Sequence, residues 1–158
     1  MKIVLIEVGR TTSSSLAELT DTYLKRSNRF LPLEVVVIPE LKNTRALTVE
    51  QQKEREGKAI LALLRQTDLV ILLDEHGKEF TSVQFADYLQ GKVAASGVGR
   101  IVFVIGGPYG FSPAVYERGK EKLSISKMTF SHQMIRLLFV EQYYRALTII
   151  HHLPYHHE

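Results

Sequence analysis

The chain contains no cysteine. That excludes disulfides and thiolate metal sites and fits a reducing compartment. No apolar run approaches the roughly 20 residues that a bilayer-spanning helix needs, so no membrane segment is expected and the cytoplasm is the expected location. Met1-Lys-Ile-Val-Leu-Ile-Glu7 is too short, and met too early by charge, for a signal peptide; it reads as a first strand. No nucleotide loop follows that strand. The glycine cluster that does occur, Gly106-Gly107-Pro108-Tyr109-Gly110, has neither the G-x-G-x-x-G nor the G-x-x-x-x-G-K-[ST] spacing, so dinucleotide and P-loop readings fail. Charge of one sign is also scarce, with a net of +3. Residues 1–117 hold 14 basic and 14 acidic residues, so the whole excess lies in 118–158, with 6 basic against 3 acidic. Five of the six histidines lie there too. A basic end beside a ligand loop points to a polyanionic partner, although a solvated basic edge has the same composition.

What the chain does contain is an ordinary globular composition, 45% hydrophobic and 23% charged over 158 residues. One domain, 1–158, is expected, long enough to bury its own core. Strand-like runs fall at 2–8, 33–38, 69–73, 101–105 and 122–126, the middle three almost wholly apolar. Such runs suit parallel strands covered on both faces. Helical segments are expected at 14–28, 48–65, 82–95, 112–119 and 131–151, and the alternation predicts an α/β fold, a parallel β-sheet flanked by helices. Thr81 or Ser82 can cap the third helix, with Phe80 placed to pack one turn on. Gly57, inside the second helix, marks either a kink or a close approach. Residues 40–47 read as a loop. The last helix is apolar on most sides, so it is covered on most sides, either within one chain or by a second copy in a twofold dimer.

Ligands of open parallel sheets bind beyond the carboxyl ends of the strands. Those ends read Leu72-Leu73-Asp74-Glu75-His76-Gly77-Lys78, Ile105-Gly106-Gly107-Pro108-Tyr109-Gly110 and Ser126-Lys127-Met128-Thr129-Phe130. Asp74 and Glu75 suit a loop role near a ligand better than paired carboxylate catalysis, because sequence neighbours at a strand end diverge. The tail His151-His152-Leu153-Pro154-Tyr155-His156-His157 lacks cysteine and is broken by proline, so no metal site is expected.

Taken in order, five segments carry a resemblance. They are Leu73-Asp74-x-x-Gly77-Lys78, Phe103-Val-Ile-Gly-Gly-x-x-Gly110, Leu123-Ser-x-Ser-Lys-Met-Thr-Phe-x-His132-Gln133, Glu141-Gln-x-Tyr-Arg145-Ala and Pro154-Tyr-His. Over its whole length the chain resembles the ribosomal RNA large subunit methyltransferase H family, SPOUT-class enzymes with a C-terminal trefoil knot. The resemblance implies S-adenosylmethionine bound by Leu73, Gly106 and the loop Ile125, Ser126, Lys127, Met128, Thr129 and Phe130. It implies a homodimer through the C-terminal helix, with Tyr155 and His156 reaching toward the partner's site. It implies methylation of N3 of a pseudouridine in helix 69 of 23S ribosomal RNA, in the assembled ribosome. Two positions depart from the family pattern: Ser131 replaces a usual proline, and His157 replaces a usual Arg or Lys with a residue that titrates near neutrality.

N3 of a pseudouridine is a weakly acidic imide, so a base or an electrostatic aid is useful. His132, Tyr155 and His156 are the catalytic candidates, His132 first because it follows the cofactor loop. Arg136, Arg145 and His157 are the RNA-binding candidates, Arg145 with Glu141 one turn earlier as a possible ion-pair partner. Two rivals remain open: a flavodoxin-like enzyme binding a phosphorylated small molecule, and a non-catalytic RNA-binding assembly factor.

Overall fold

A computed structural model of the chain describes residues 1–157. The described residues form β1 (Lys2–Val8), α1 (Ser14–Ser27), β2 (Leu33–Ile38), α2 (Val49–Leu63), β3 (Asp68–Glu79), α3 (Ser82–Ala94), β4 (Arg100–Ile105), α4 (Pro113–Arg118), β5 (Glu121–Ser124) and α5 (His132–Ile150). A 3-10 turn, Thr44–Ala46, lies within the loop expected at 40–47. The strands make one parallel sheet in the order β2-β1-β4-β3-β5. The sheet has helices on both faces, as the alternating pattern predicts.

Side chains alternate across a strand, and here both directions lead to apolar cover. Ile3 and Leu5 join Ile101, Phe103 and Ile105 in one core with residues of α3 and α5. Val4, Ile6 and Val8 join Val102 and Val104 in the other, beneath Ile60 of α2 and Val115 of α4. Phe103 and Phe139 are fully buried with ring centroids 4.8 Å apart. Truncating either to alanine costs roughly 3–5 kcal/mol.

Thr48 and Thr81 each form a capping box, with Gln51 and Gln84. Phe80 lies 6.5 Å from Phe85 and nearer, 4.9 Å, to Tyr88. Gly57 marks a close approach, because α2 runs through it unbroken and a methyl group there would strike the Ser112 hydroxyl and Val115. α5 packs against both α1 and α3. Its buried stripe is Arg136, Phe139, Val140, Tyr143, Ala146, Leu147 and Thr148. Leu137, Leu138, Ile149 and Ile150 are only half-buried, and Met134 is exposed.

One element is longer than the sequence predicts. β3 continues past Leu73 to Glu79, through residues that read as a loop. β5 is the reason: Leu123 pairs with Leu73 and, after a register shift, with Lys78 as well. The residues between bulge outward. Gly77 permits the close pass, since a Cβ there would lie 2.7 Å from the Leu123 backbone nitrogen.

Candidate active site

β3 lies between β4 and β5, so the loops leaving their carboxyl ends converge. They enclose an open crevice of about 580 Å³, within the roughly 300–1,000 Å³ of small-molecule sites. Its walls come from Leu73–His76, Ile105–Phe111 with Tyr116, and Leu123–His132 except Lys127.

Each wall is fixed locally. In the glycine turn, the Gly110 amide donates to the Gly107 carbonyl at 3.2 Å, and Gly110 has φ +81°. That left-handed conformation costs other residues about 1–2 kcal/mol. On the third wall, the Met128 amide donates to the Ser126 hydroxyl at 3.0 Å, and the Ser124 hydroxyl to the Ser126 carbonyl at 2.9 Å. Ser131 then caps α5, its hydroxyl accepting from the Met134 amide at 3.2 Å. Serine in place of proline therefore anchors the helix start. Gln133 ties the same helix end to the β1–α1 loop, accepting from the amide and hydroxyl of Thr12 at 3.0 and 3.1 Å.

The electrostatics of the crevice are one-sided. Asp74 and Glu75 line it, with the imidazoles of His76 and His132, and no Lys or Arg is among the lining residues. Burial works against the Asp74 charge, but hydrogen bonds from the Tyr116 hydroxyl and the His76 amide outweigh it and hold the carboxyl below its usual range. Burial and Asp74 together push Tyr116 up to about 12. Large apolar side chains stand open at the rim: Met128 is 75% exposed, and Tyr109 and Phe130 are exposed too. A ligand with a flat apolar part and a positive charge suits this lining. A phosphorylated ligand does not, which weighs against the flavodoxin-like rival.

Leu73, Gly106, Ile125, Ser126, Met128, Thr129 and Phe130 all line the crevice, as does His132. Lys127 does not; its side chain turns outward, 88% exposed, 3.9 Å from Glu79. Tyr155 and His156 lie elsewhere. His152, at φ +57°, closes α5 with Leu153 donating to the Thr148 carbonyl, so the tail folds back along the helix. The Tyr155 hydroxyl donates to Glu141 at 2.8 Å beneath the Arg145 guanidinium. Glu141 lies nine positions along α5 from His132, about 13 Å at the α-helical rise. Burial, with the hydrogen bonds to Tyr23 and Glu141, raises the Tyr155 pKa.

The structure places both arginines of the RNA-binding expectation in ion pairs within the chain. Arg136 is 1% exposed. Its guanidinium donates to the Val8 carbonyl at 2.6 Å and the Thr11 hydroxyl at 3.2 Å, and sits 3.2 Å from Glu7. The Glu7 contact is an ion pair without an aligned hydrogen bond from Nε. Buried and internally paired, Arg136 has no phosphate to reach. Arg145 is likewise engaged inside the chain, donating to Glu141 at 2.6 Å and lying 3.1 Å from His156 Nδ1. His157 is exposed. Sequence reasoning missed Tyr116 as a lining residue. It also missed Glu56, which lies under the glycine turn, although its neighbour Gly57 signalled a tight contact there.

The chain has full-length relatives among known proteins. A family profile described as "Predicted SPOUT methyltransferase" matches residues 1–156. "Ribosomal RNA large subunit methyltransferase H" of Phocaeicola vulgatus is 54% identical over 158 residues, covering all of both chains. The protein of the same name from Bacteroides thetaiotaomicron is 55% identical, again over the full length of both. The solved SpoU methyltransferase AviRb of Streptomyces viridochromogenes, in complex with AdoMet, aligns with a TM-score of 0.46 at 11% identity. It covers 94% of this chain and 58% of that one. Membership of the matched family implies the knotted C-terminal path expected above. The chain belongs to the SPOUT methyltransferases and, among them, to the ribosomal RNA large subunit methyltransferase H family.

Proposed function

We propose that this one-domain chain transfers a methyl group from S-adenosylmethionine to ribosomal RNA, at N3 of a pseudouridine in helix 69 of 23S RNA. The observation that carries the reading is the acidic, apolar-rimmed crevice at the ends of β3, β4 and β5, in a chain whose full-length relatives bear a ribosomal RNA methyltransferase name. The donor supplies a methyl group already activated by a sulfonium charge, so alignment provides much of the rate.

The chain's residues supply binding and proton handling. Leu73, Gly106 and the segment from Ile125 to Phe130 hold the donor, Lys127 through its backbone. Met128 and Phe130 offer apolar surface to the flat base. Asp74 and Glu75 favour the positive centre, Asp74 kept ionised by its Tyr116 and His76 hydrogen bonds. His132, at the crevice edge, accepts the N3 proton. Tyr155 and His156 complete the site from a partner subunit, which accounts for their distance from their own chain's crevice. The half-buried apolar side of α5 is the dimer surface in this reading. His157, exposed on the tail, contacts RNA.

None of the described helices is long and apolar enough to cross a membrane, and the reading places the protein with ribosomes in the cytoplasm. The test is incubation of undermethylated large subunits and whole ribosomes with methyl-labelled donor, followed by nucleoside analysis. Label in N3-methylpseudouridine on whole ribosomes is expected, with weak binding to a free RNA hairpin. Label in another nucleoside, or equal turnover on the isolated hairpin, contradicts the proposal.

A further inference from the structure

The glycine turn that walls the crevice rests on an acid the mechanism does not use. Glu56, on α2, is 5% exposed. Its Oε2 accepts from Gln52 at 3.2 Å, while Oε1 is buried with no hydrogen-bond partner. The carboxyl lies flat beneath Gly107: a Cβ there would sit 2.5 Å from Oε1, 2.9 Å from Oε2 and 3.0 Å from the carboxyl carbon. The neighbouring Gly106 is backed by the Phe111 ring, 2.9 Å from its own imagined Cβ. Next to Glu56, Gly57 lets α2 press against Ser112 and Val115, just beyond the turn. Helix α2 is thus the floor of this wall, and Glu56 is the part of the floor that touches it.

We propose that Glu56 is a positioning residue that holds the Gly106-Gly107 turn in the shape the methyl donor requires. Burying a carboxylate with an orphan oxygen costs more than burying the neutral acid, although either form leaves one group without a partner. Burial raises this carboxyl's pKa, the Gln52 amide opposes that, and the nearby Glu40 charge adds to the rise. Glu40 comes from the end of β2; Gly107, the part of the β4–α4 loop that touches the carboxyl, carries no charge. Ionisation puts an unpaired charge under the turn, and the turn gives way to hydrate it. Folded Glu56 binds its proton more tightly than in the unfolded chain, so its support is complete at low pH and fades as pH rises through the elevated pKa.

The proposal rests on the crevice being the donor site, and the experiment separates the two ideas. S-adenosylmethionine affinity is measured by calorimetry from pH 4.5 to pH 8 for the wild type, Glu56→Gln and Glu56→Ala, a window that starts near the ordinary carboxylate value and runs through an elevated one. Amide spectra of Gly106 to Gly110 are recorded without ligand. Glu56→Gln keeps the shape and cannot ionise. The ratio of wild-type to Gln-variant affinity therefore cancels titration of the donor's own amino group. We expect that ratio to fall roughly three- to tenfold over this range. The Ala variant is expected to bind at least about tenfold more weakly at every pH, with shifted turn amides, and Glu56→Gln to restore both. A flat ratio, or an Ala variant that loses melting temperature but not affinity, overturns the proposal. If Ala does not fold, the Gln ratio decides alone. If the wild type itself binds no donor, the donor reading falls, and the Glu56 role falls with it.

Discussion

Replacing Arg136 with alanine tests the buried α5–β1 connection and decides between two roles for this residue. In the structure the guanidinium is enclosed and holds three partners: Glu7, the Val8 carbonyl and the Thr11 hydroxyl. Removing it leaves Glu7, itself buried, with no countercharge. Breaking a buried pair from one side costs about 3–5 kcal/mol. At roughly 2–4 °C per kcal/mol for a chain of this size, the melting temperature falls by about 6–20 °C. Burial already raises the Glu7 pKa against the opposing pull of Arg136. Without Arg136 only the upward push remains. The folded carboxyl then binds its proton well above the ordinary unfolded value of about 4.3, so the variant loses stability as pH rises through that interval. Thermal melts at pH 5 and pH 8 should show the larger deficit at pH 8. The double variant Glu7→Gln with Arg136→Met, which removes both charges and keeps the volume, should recover most of the loss. A phosphate-binding Arg136 predicts the reverse pattern: an unchanged melt, weaker RNA binding and a salt slope lower by about one. That result would refute the structural assignment.

Three further outcomes follow from the same geometry. Ser131→Ala should cost about 1 kcal/mol by removing the α5 cap, read as a lower midpoint in urea. Gly107→Ala, which drives a methyl group onto Glu56, should destabilise by about 1–3 kcal/mol and weaken donor binding measured by calorimetry. Tyr116→Phe removes a donor from Asp74, whose depressed pKa contributes stability above its unfolded value of about 3.9 and loses it as pH falls through the folded value. The acid limb of the variant's stability curve, followed by urea denaturation between pH 2 and pH 6, should therefore be shallower.

Much of the fold was legible because its signals are local. β1 and β2 fall on the expected residues, and the apolar runs at β3 and β4 mark strands covered on both sides. Thr81 caps α3 as its position before a periodic segment suggests. What escaped is set by partners distant in sequence. The extension of β3 to Glu79 depends on the second pairing with β5, and no feature of residues 74–79 announces it. Arg136 reads as a surface cation until β1 brings Glu7 alongside, 129 positions away in the chain. The crevice was legible in its glycine and hydroxyl-rich loops, which lie at strand ends by pattern alone. Asp74 and Glu75 were legible there too, but the Tyr116 hydroxyl that holds the Asp74 charge was not, because it comes from a helix that follows a different strand.

The account stands or falls on where the methyl donor sits. A crystal structure of the chain grown with S-adenosylmethionine measures this directly. The expected density lies between Leu73, the Gly106-Gly107 turn and the segment from Ile125 to Phe130, with its positive centre on the side of Asp74 and Glu75. Density at another surface, or a crevice closed by its own side chains at saturating donor, contradicts it.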